Sequence, residues 1–140
     1  MIKPSLLFAA LVLLSPAGAL AAEAVDYAVD GALYEGAWAP AEGDARGLVV
    51  VIHDWDGLTG YEYTRLDMLA ELGYDAFAID LYGKGNRPAD FESRRAESGK
   101  LYADRALMRQ RLMAGLDAAR ERSSAATVVM GYCFGGAAVL

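Results

Sequence analysis

The chain has 140 residues, enough for one domain at most, and its composition of 55% hydrophobic and 23% charged residues is that of a globular protein. Its formal net charge of −6 argues against nucleic acid and against an anionic membrane as the main partner, since both favour a basic face. One cysteine excludes an internal disulfide, and no Cys/His cluster has zinc spacing, so the sequence predicts no metal site.

The first 21 residues have the order of parts of a secretory signal peptide. Lys3 supplies a positive start, residues 6–14 form an apolar core, and Ser15 to Gly18 break it ahead of the small-residue site Ala19-Leu20-Ala21. We therefore predict cleavage after Ala21 and a periplasmic or secreted protein. The alternative is a buried N-terminal helix.

Residues 22–140 predict one domain in which strands alternate with helices. The Asp30-Gly31 turn between two β-forming runs predicts a hairpin of residues 25–29 and 33–38. Strands are predicted at 48–52, 75–80 and 126–130, and helices at 61–72, from residue 134 onward, and over about 20 residues ending near Arg122. The apolar stripe of that long helix comprises Leu101, Leu107, Leu112, Met113 and Leu116.

This alternation predicts an α/β fold with a mostly parallel sheet and an antiparallel hairpin at its start. The run Leu48-Val49-Val50-Val51-Ile52 is typical of a strand buried on both faces. The mixed-sign stretch from Asp90 to Arg111 is interpreted as a solvated helix face.

The sequence Gly131-Tyr132-Cys133-Phe134-Gly135 fits a nucleophile elbow between a strand and a helix. Glycines on both sides are needed because larger side chains would collide with the neighbouring strand and helix. The turn would expose the sulfur of Cys133, and the helix N-terminus would favour its thiolate. The backbone N–H of Phe134 would face a developing oxyanion. The alternative is a buried, inert cysteine in a glycine-rich turn.

Three segments together resemble the dienelactone hydrolase family, whose elbow carries cysteine where most α/β-hydrolases carry serine. They are the elbow at residues 131–136, the strand and loop at residues 50–58, and the strand end Ala78-Ile79-Asp80-Leu81-Tyr82-Gly83. The likeness covers nearly all of the chain after the leader.

The resemblance implies that Cys133 is the nucleophile and that the backbone N–H groups of Trp55 and Phe134 form the oxyanion hole. Asp54 stands where the family often has a glutamate that meets the cysteine in the resting enzyme. Lys84 stands near the position where dienelactone hydrolases have an arginine that binds the substrate carboxylate. Lysine can bind an anion but cannot make the bidentate contact of an arginine.

Plainer roles are open for several of these side chains. Asp54 and Asp56 could close their loop by hydrogen bonds to the backbone, Trp55 could serve packing alone, and Lys84 could be merely solvated. His53, the only histidine, precedes the nucleophile and is expected to brace the oxyanion loop rather than to act as the base.

In α/β-hydrolases the acid and the histidine follow the nucleophile, and the seven residues after Cys133 contain no Asp, Glu or His. We therefore expect this chain to be a fragment, inactive alone, with an open apolar sheet edge at its last strand.

The sequence thus predicts a hydrolase of ester, lactone or thioester bonds that acts on a small molecule and needs no cofactor. The alternatives are a non-catalytic binding protein with the same fold and a thiol redox or sensor protein.

Overall fold

The computed structural model describes residues 21–140, so the predicted leader lies outside the described residues except for Ala21. The helices and strands follow one another in an order close to the predicted one. Their bounds are β1 Glu23–Val29, β2 Ala32–Ala39, β3 Leu48–Ile52, α1 Gly60–Glu71, β4 Asp75–Ile79, α2 Phe91–Ala103, α3 Arg105–Arg122, β5 Thr127–Gly131 and α4 Phe134–Val139.

The strands form one mixed sheet in the order β1-β2-β4-β3-β5. β1 and β2 form the predicted antiparallel hairpin, and β2 joins it to β4, again antiparallel. β3 pairs in parallel with both β4 and β5. The predicted α/β fold, with a hairpin ahead of parallel strands, is confirmed.

The hairpin turn depends on two residues in the left-handed region. Asp30 has φ +49° and Gly31 has φ +79°, which is the pattern of a tight turn whose twist matches that of the flanking strands. Aspartate and glycine are among the residues that tolerate this conformation best. The Asp-Gly pair therefore fixes the register of β1 and β2.

β3 is buried on both faces, which explains its uninterrupted apolar sequence. Val49 and Val51 belong to the apolar cluster that includes α1 residues, whereas Leu48, Val50 and Ile52 belong to the cluster that includes residues of α2, α3 and α4. The domain thus has three layers, with the sheet between α1 and the other helices.

The predicted long helix is present as α3, which has 18 residues and ends at Arg122, but the assignment of Leu101 to it is wrong, because the chain is interrupted at Asp104. The carboxylate of Asp104 accepts a hydrogen bond of 2.9 Å from the Leu107 N–H and so caps the start of α3. Leu101 thereby falls on α2, where it is fully buried, while Met113 on α3 is largely exposed rather than part of the core stripe.

The parallel strands end together at one edge of the sheet. Ile52 lies opposite Ile79 on one side and Gly131 on the other. The residues that follow β3, β4 and β5 therefore meet at the carboxyl edge, where ligands bind in open parallel sheets.

β5 lies at the border of the described sheet and pairs only with β3 there, as expected for the last strand. Val128 on this strand is 60% exposed. Among residues 21–140, no helix combines the length and the apolar character that a membrane crossing requires.

Candidate functional site

Cys133 occupies a strained turn between β5 and α4. Its φ is +48° and its ψ is −106°, a combination that non-glycine residues adopt rarely. The residue is exposed, so the alternative of a buried, inert cysteine does not fit the structure. The sequence predicted this geometry from the elbow pattern.

Two glycines permit the close packing around this turn. A Cβ on Gly131 would lie 2.2 Å from the carbonyl carbon of Gly135, and a Cβ on Gly135 would lie 2.5 Å from the carbonyl oxygen of Ile52. Both obstacles are backbone atoms, which cannot rotate away as a side chain can. The turn thus requires glycine at both positions, for the reason that the sequence pattern suggested.

Burial, Asp54 and the backbone of Phe134 all influence the pKa of the Cys133 thiol. Partial burial raises its pKa, and the hydrogen bond to the Asp54 carboxylate together with the negative charge of that group raises it further. The hydrogen bond from the Phe134 N–H lowers the pKa of the thiol. The backbone donor at the start of α4 favours the thiolate, as expected, but burial first and the Asp54 carboxylate second outweigh it, so the pKa of Cys133 is raised overall.

Asp54 links Cys133 to the loop after β3. Its Oδ1 accepts a hydrogen bond from the N–H of Trp55, the next residue. One carboxylate therefore contacts both the thiol and a candidate oxyanion donor. The loop-closing hydrogen bond of Asp54 is present, and its carboxylate is close enough to raise the pKa of Cys133, while its role toward the cysteine in the resting enzyme stays a prediction.

His53 is fully buried directly after β3. Its Nδ1 lies 2.6 Å from the carbonyl oxygen of Asp54, and its Nε2 accepts a 3.0 Å hydrogen bond from the Leu81 N–H. Burial lowers its pKa, an effect that the hydrogen bond to Asp54 and the charge of Asp80 partly offset. The imidazole is therefore neutral with both nitrogens occupied, which is the arrangement of a brace and not of a general base.

Lys84 points to the hairpin. Its ammonium nitrogen lies 2.7 Å from Oδ1 of Asp26 on β1 and 3.4 Å from a carboxylate oxygen of Glu35 on β2. The structure thus gives Lys84 two anionic partners within the protein, and its role toward a substrate carboxylate stays a prediction. Asp56, the other acidic residue of the oxyanion loop, is partly exposed.

Helix α2 contributes aromatic side chains that the sequence did not single out. Phe91 makes an edge-on contact with the Trp55 ring at 5.4 Å, and Tyr102 makes the same kind of contact with Phe134. Both are largely exposed. From the sequence, the mixed-sign charges of this segment indicated only a solvated helix face. Phe91 and Tyr102, at opposite ends of α2, were the signal that could have indicated a contribution to the site.

A resident metal ion has no obvious ligands in this part of the molecule. Among residues 21–140, no group of three or more His, Cys, Asp or Glu side chains is placed to hold one. The chemistry that the described site offers is that of a thiol, a carboxylate and backbone N–H groups.

Comparison with solved structures finds several that are similar to this chain. The protein designated m3DLH is 30% identical over 84% of this chain and 51% of its own, with a TM-score of 0.78. A dienelactone hydrolase-like promiscuous phosphotriesterase from metagenomic libraries is 33% identical over 87% of this chain and 53% of its own, with a TM-score of 0.79. The chain therefore spans about half the length of these relatives.

A third structure supports the fold alone. A cold-adapted esterase from an Arctic intertidal metagenomic library is 22% identical over 84% of this chain and 52% of its own, with a TM-score of 0.65.

No match was found among curated protein sequences. The profile of the dienelactone hydrolase family matches residues 29–140, which include the hairpin turn, the oxyanion loop and the elbow. The chain belongs to the dienelactone hydrolase family.

Proposed function

We propose that this chain supplies the nucleophile and the oxyanion hole of a hydrolase that cleaves ester, lactone or thioester bonds in small molecules. The observation that carries the proposal is the geometry of Cys133, an exposed thiol on a strained elbow at the carboxyl edge of the sheet. Such a turn presents the sulfur to a substrate, and the family membership agrees with this role.

The proposed reaction has two halves. The sulfur of Cys133 attacks the carbonyl carbon, its proton passes to a base, and the oxyanion is bound by the N–H groups of Trp55 and Phe134. Collapse breaks the bond to the leaving group, which takes up the proton and leaves a thioester on the cysteine. Water then hydrolyses the thioester, and the thiol and a carboxylic acid are released.

Asp54 holds the site at rest in this scheme. Its carboxylate accepts from the Trp55 N–H and contacts the thiol, so an entering carbonyl oxygen must displace it before the N–H can bind an oxyanion. Moving the carboxylate away also removes one of the influences that raise the pKa of Cys133. Substrate entry therefore favours the nucleophilic thiolate.

The base is not among the residues of this chain. The single histidine has both ring nitrogens occupied, and the sequence contains no second one. We propose that a histidine and its acidic partner come from outside these 140 residues, in keeping with the length of the matched relatives.

We infer the substrate class from the charges around Lys84 and around Cys133. Lys84 is neutralised by Asp26 and Glu35, and Asp54 places a negative charge beside the thiol. These charges support an uncharged ester or lactone rather than a carboxylate-bearing dienelactone. One relative is described as a promiscuous phosphotriesterase, so a neutral phosphotriester is a sensible further probe.

The test is hydrolysis of a neutral chromogenic ester, a lactone and a phosphotriester by the natural polypeptide that contains this sequence. We expect Cys133→Ala to abolish turnover of the ester and the lactone, and Cys133→Ser to retain a small fraction of the activity. Asp56→Asn, a conservative change at the other acidic residue of the loop after β3, serves as the control. Undiminished hydrolysis by a folded Cys133→Ala protein would refute the nucleophile and favour a binding role for this chain.

A redox or sensor role is the weaker alternative. Oxidation of a cysteine proceeds from the thiolate, and the surroundings of Cys133 raise its pKa. The same protein treated with peroxide would show a sulfenic acid on Cys133 at low oxidant concentration if this role were the main one.

We also propose that the protein is exported to the periplasm or secreted. The support is the leader pattern of residues 1–21. N-terminal sequencing of the protein from its native source should begin at Ala22, and a retained Met1 would contradict export by cleavage.

A further inference from the structure

We propose that Asp67 on α1 is a binding site for the free α-amino group of Ala22, which forms when the leader is removed after Ala21. The inference rests on the proposed export of the protein, because it needs the processed chain to begin at Ala22. It goes beyond that proposal by assigning to the new N-terminus a partner and a role in the fold.

The backbone nitrogen of Ala22 has a partner far along the chain. It donates a 2.7 Å hydrogen bond to Oδ1 of Asp67, 45 residues away, and the contact is partly buried. Ala22 itself is half-buried and packs against the apolar cluster that includes Leu66 and Ala70 of α1. Ala21, on the other side of the bond to be cleaved, is exposed. The boundary between an exposed and a packed residue therefore coincides with the predicted cleavage site.

The residue that follows Ala22 makes its contact on the other face of the sheet. The carboxylate of Glu23, the first residue of β1, lies 3.7 Å from a guanidinium nitrogen of Arg122 at the end of α3. Because α1 and α3 cover opposite faces of the sheet, Glu23 is directed away from α1. Asp67 is thus the carboxylate that meets the Ala22 nitrogen on the α1 side.

Cleavage changes the donor at Asp67 from an amide to an ammonium. Hydrolysis breaks the C–N bond between Ala21 and Ala22: the hydroxyl of a water joins the carbonyl carbon of Ala21, and its remaining hydrogen joins the nitrogen of Ala22. An α-amino group has an ordinary pKa of about 7.7–8.0, so the new amine binds a further proton at neutral pH and becomes a cation. The hydrogen bond to the carboxylate is then also an ion pair.

The ion pair fastens the start of the border strand to a helix. β1 lies at the opposite border of the described sheet from β5 and pairs there with β2. The first residues of a domain are poorly ordered unless they are held by such contacts. The precursor has only the amide hydrogen bond at Asp67, so the fold gains stability when the leader is removed.

The test measures how far Asp67 stabilises the natural polypeptide with two different N-termini. One form begins at Ala22, and the other has one glycine ahead of Ala22, which keeps the amide in place and moves the ammonium about 3.8 Å along the chain. We expect Asp67→Asn to lower the folding equilibrium constant, from denaturant unfolding, by about three- to fivefold more in the first form than in the second.

A second carboxylate of the same kind provides the matched control. Oδ1 of Asp75 also accepts a hydrogen bond from a distant backbone N–H, that of Ala41, at 3.0 Å. Because the N-terminus takes no part in this contact, Asp75→Asn should lower the folding equilibrium constant equally in the two forms.

A chemical measurement on the unsubstituted protein makes the test independent of how well Asp67→Asn folds. Only the unprotonated amine is acylated, so an ion pair slows the reaction of the N-terminus at neutral pH. Relative to the same chain in denaturant, the form that begins at Ala22 should react about three- to fivefold more slowly than the glycine-extended form. Equal relative rates, or an equal effect of Asp67→Asn in both forms, would overturn the inference.

N-terminal sequencing of the native protein separates this inference from the proposed export. If the native chain begins at Ala22 and the two forms behave alike, the ion pair fails and the proposed export stands. If the native chain begins at another residue, the predicted cleavage fails, and the ion pair fails with it because no ammonium then lies at Asp67.

Discussion

At the scale of single residues, the pKa of Cys133 depends in part on the carboxylate of Asp54. The elbow exposes the sulfur, yet burial and the carboxylate of Asp54 raise the pKa of the thiol, and the same carboxylate accepts from the Trp55 N–H. A free thiolate at this position would be open to oxidation and alkylation between catalytic cycles. In the reaction proposed above, the pair would therefore keep Cys133 unreactive until a substrate displaces the carboxylate.

We predict that Asp54→Ala lowers the pKa of Cys133. Burial, the first cause of the raised pKa, remains in the variant, but the hydrogen bond and the charge of Asp54 are removed. The ultraviolet absorbance of the thiolate, followed against pH, should rise at lower pH than in the unmodified protein, and alkylation at neutral pH should be faster. Asp56→Ala is the matched control, and equal titration curves for the Asp54→Ala and unmodified proteins would contradict the prediction.

At the scale of elements, the elbow depends on the close approach of α4 to β3 and β5. The Cβ that alanine would add at Gly135 lies 2.5 Å from the carbonyl oxygen of Ile52 and 2.6 Å from that of His53. At the neighbouring Gly136 the nearest atom is 3.5 Å away, which is an ordinary contact. These adjacent helical glycines therefore differ in what they tolerate.

We predict that Gly135→Ala lowers the free energy of unfolding by about 1–3 kcal/mol, because overpacking forces the backbone to shift. Gly136→Ala should leave it unchanged or raise it by up to about 1 kcal/mol, because alanine favours a helix. Denaturant unfolding of the two variants measures this difference directly. Equal stability of both would mean that α4 does not pack against β3 as described.

The sequence predicted those elements whose signals are local. β3 was found because β-branched residues run without interruption, and the hairpin was found because Asp30-Gly31 suits its turn. The division between α2 and α3 was missed because aspartate also occurs inside helices. Only the structure shows the capping hydrogen bond between Asp104 and Leu107.

In the candidate site, the sequence pattern was sufficient for the elbow but not for the charges around it. Lys84 forms an ion pair with Asp26, which is 58 residues away in the sequence, and no local sequence pattern predicts such a pair. The raised pKa of Cys133 likewise depends on Asp54, which is far along the chain from the helix N-terminus that suggested a thiolate. Both features depend on which side chains meet, which is a consequence of packing and not of sequence spacing.

At the scale of the whole molecule, a buried neutral histidine ties stability to pH. The pKa of His53 is lower in the folded chain than its ordinary value of 6.5, chiefly because of burial. As the pH falls through about 6.5, the unfolded chain takes up a proton that the folded chain does not. Acid therefore favours unfolding, although Asp80 and Glu62 nearby limit the effect and Arg87 enhances it.

We predict that the free energy of unfolding falls below about pH 6.5 by up to about 1.4 kcal/mol per pH unit from this group alone. His53→Gln cannot titrate, so its stability should fall less steeply over the same range, while the carboxylates contribute equally to both proteins. Denaturant unfolding at a series of pH values gives the two profiles. Parallel profiles would show that His53 is not neutral and buried as described.

The most direct test of the account is whether an acyl group becomes attached to Cys133 during turnover. The natural polypeptide would be mixed with a neutral ester, quenched in acid within the first turnover, and digested for peptide mass analysis. We predict a thioester on the peptide that contains Cys133, with the mass of the acyl group added and absent from Cys133→Ala. Ester hydrolysis without any adduct on that peptide, or with an adduct on another residue, would contradict the central claim.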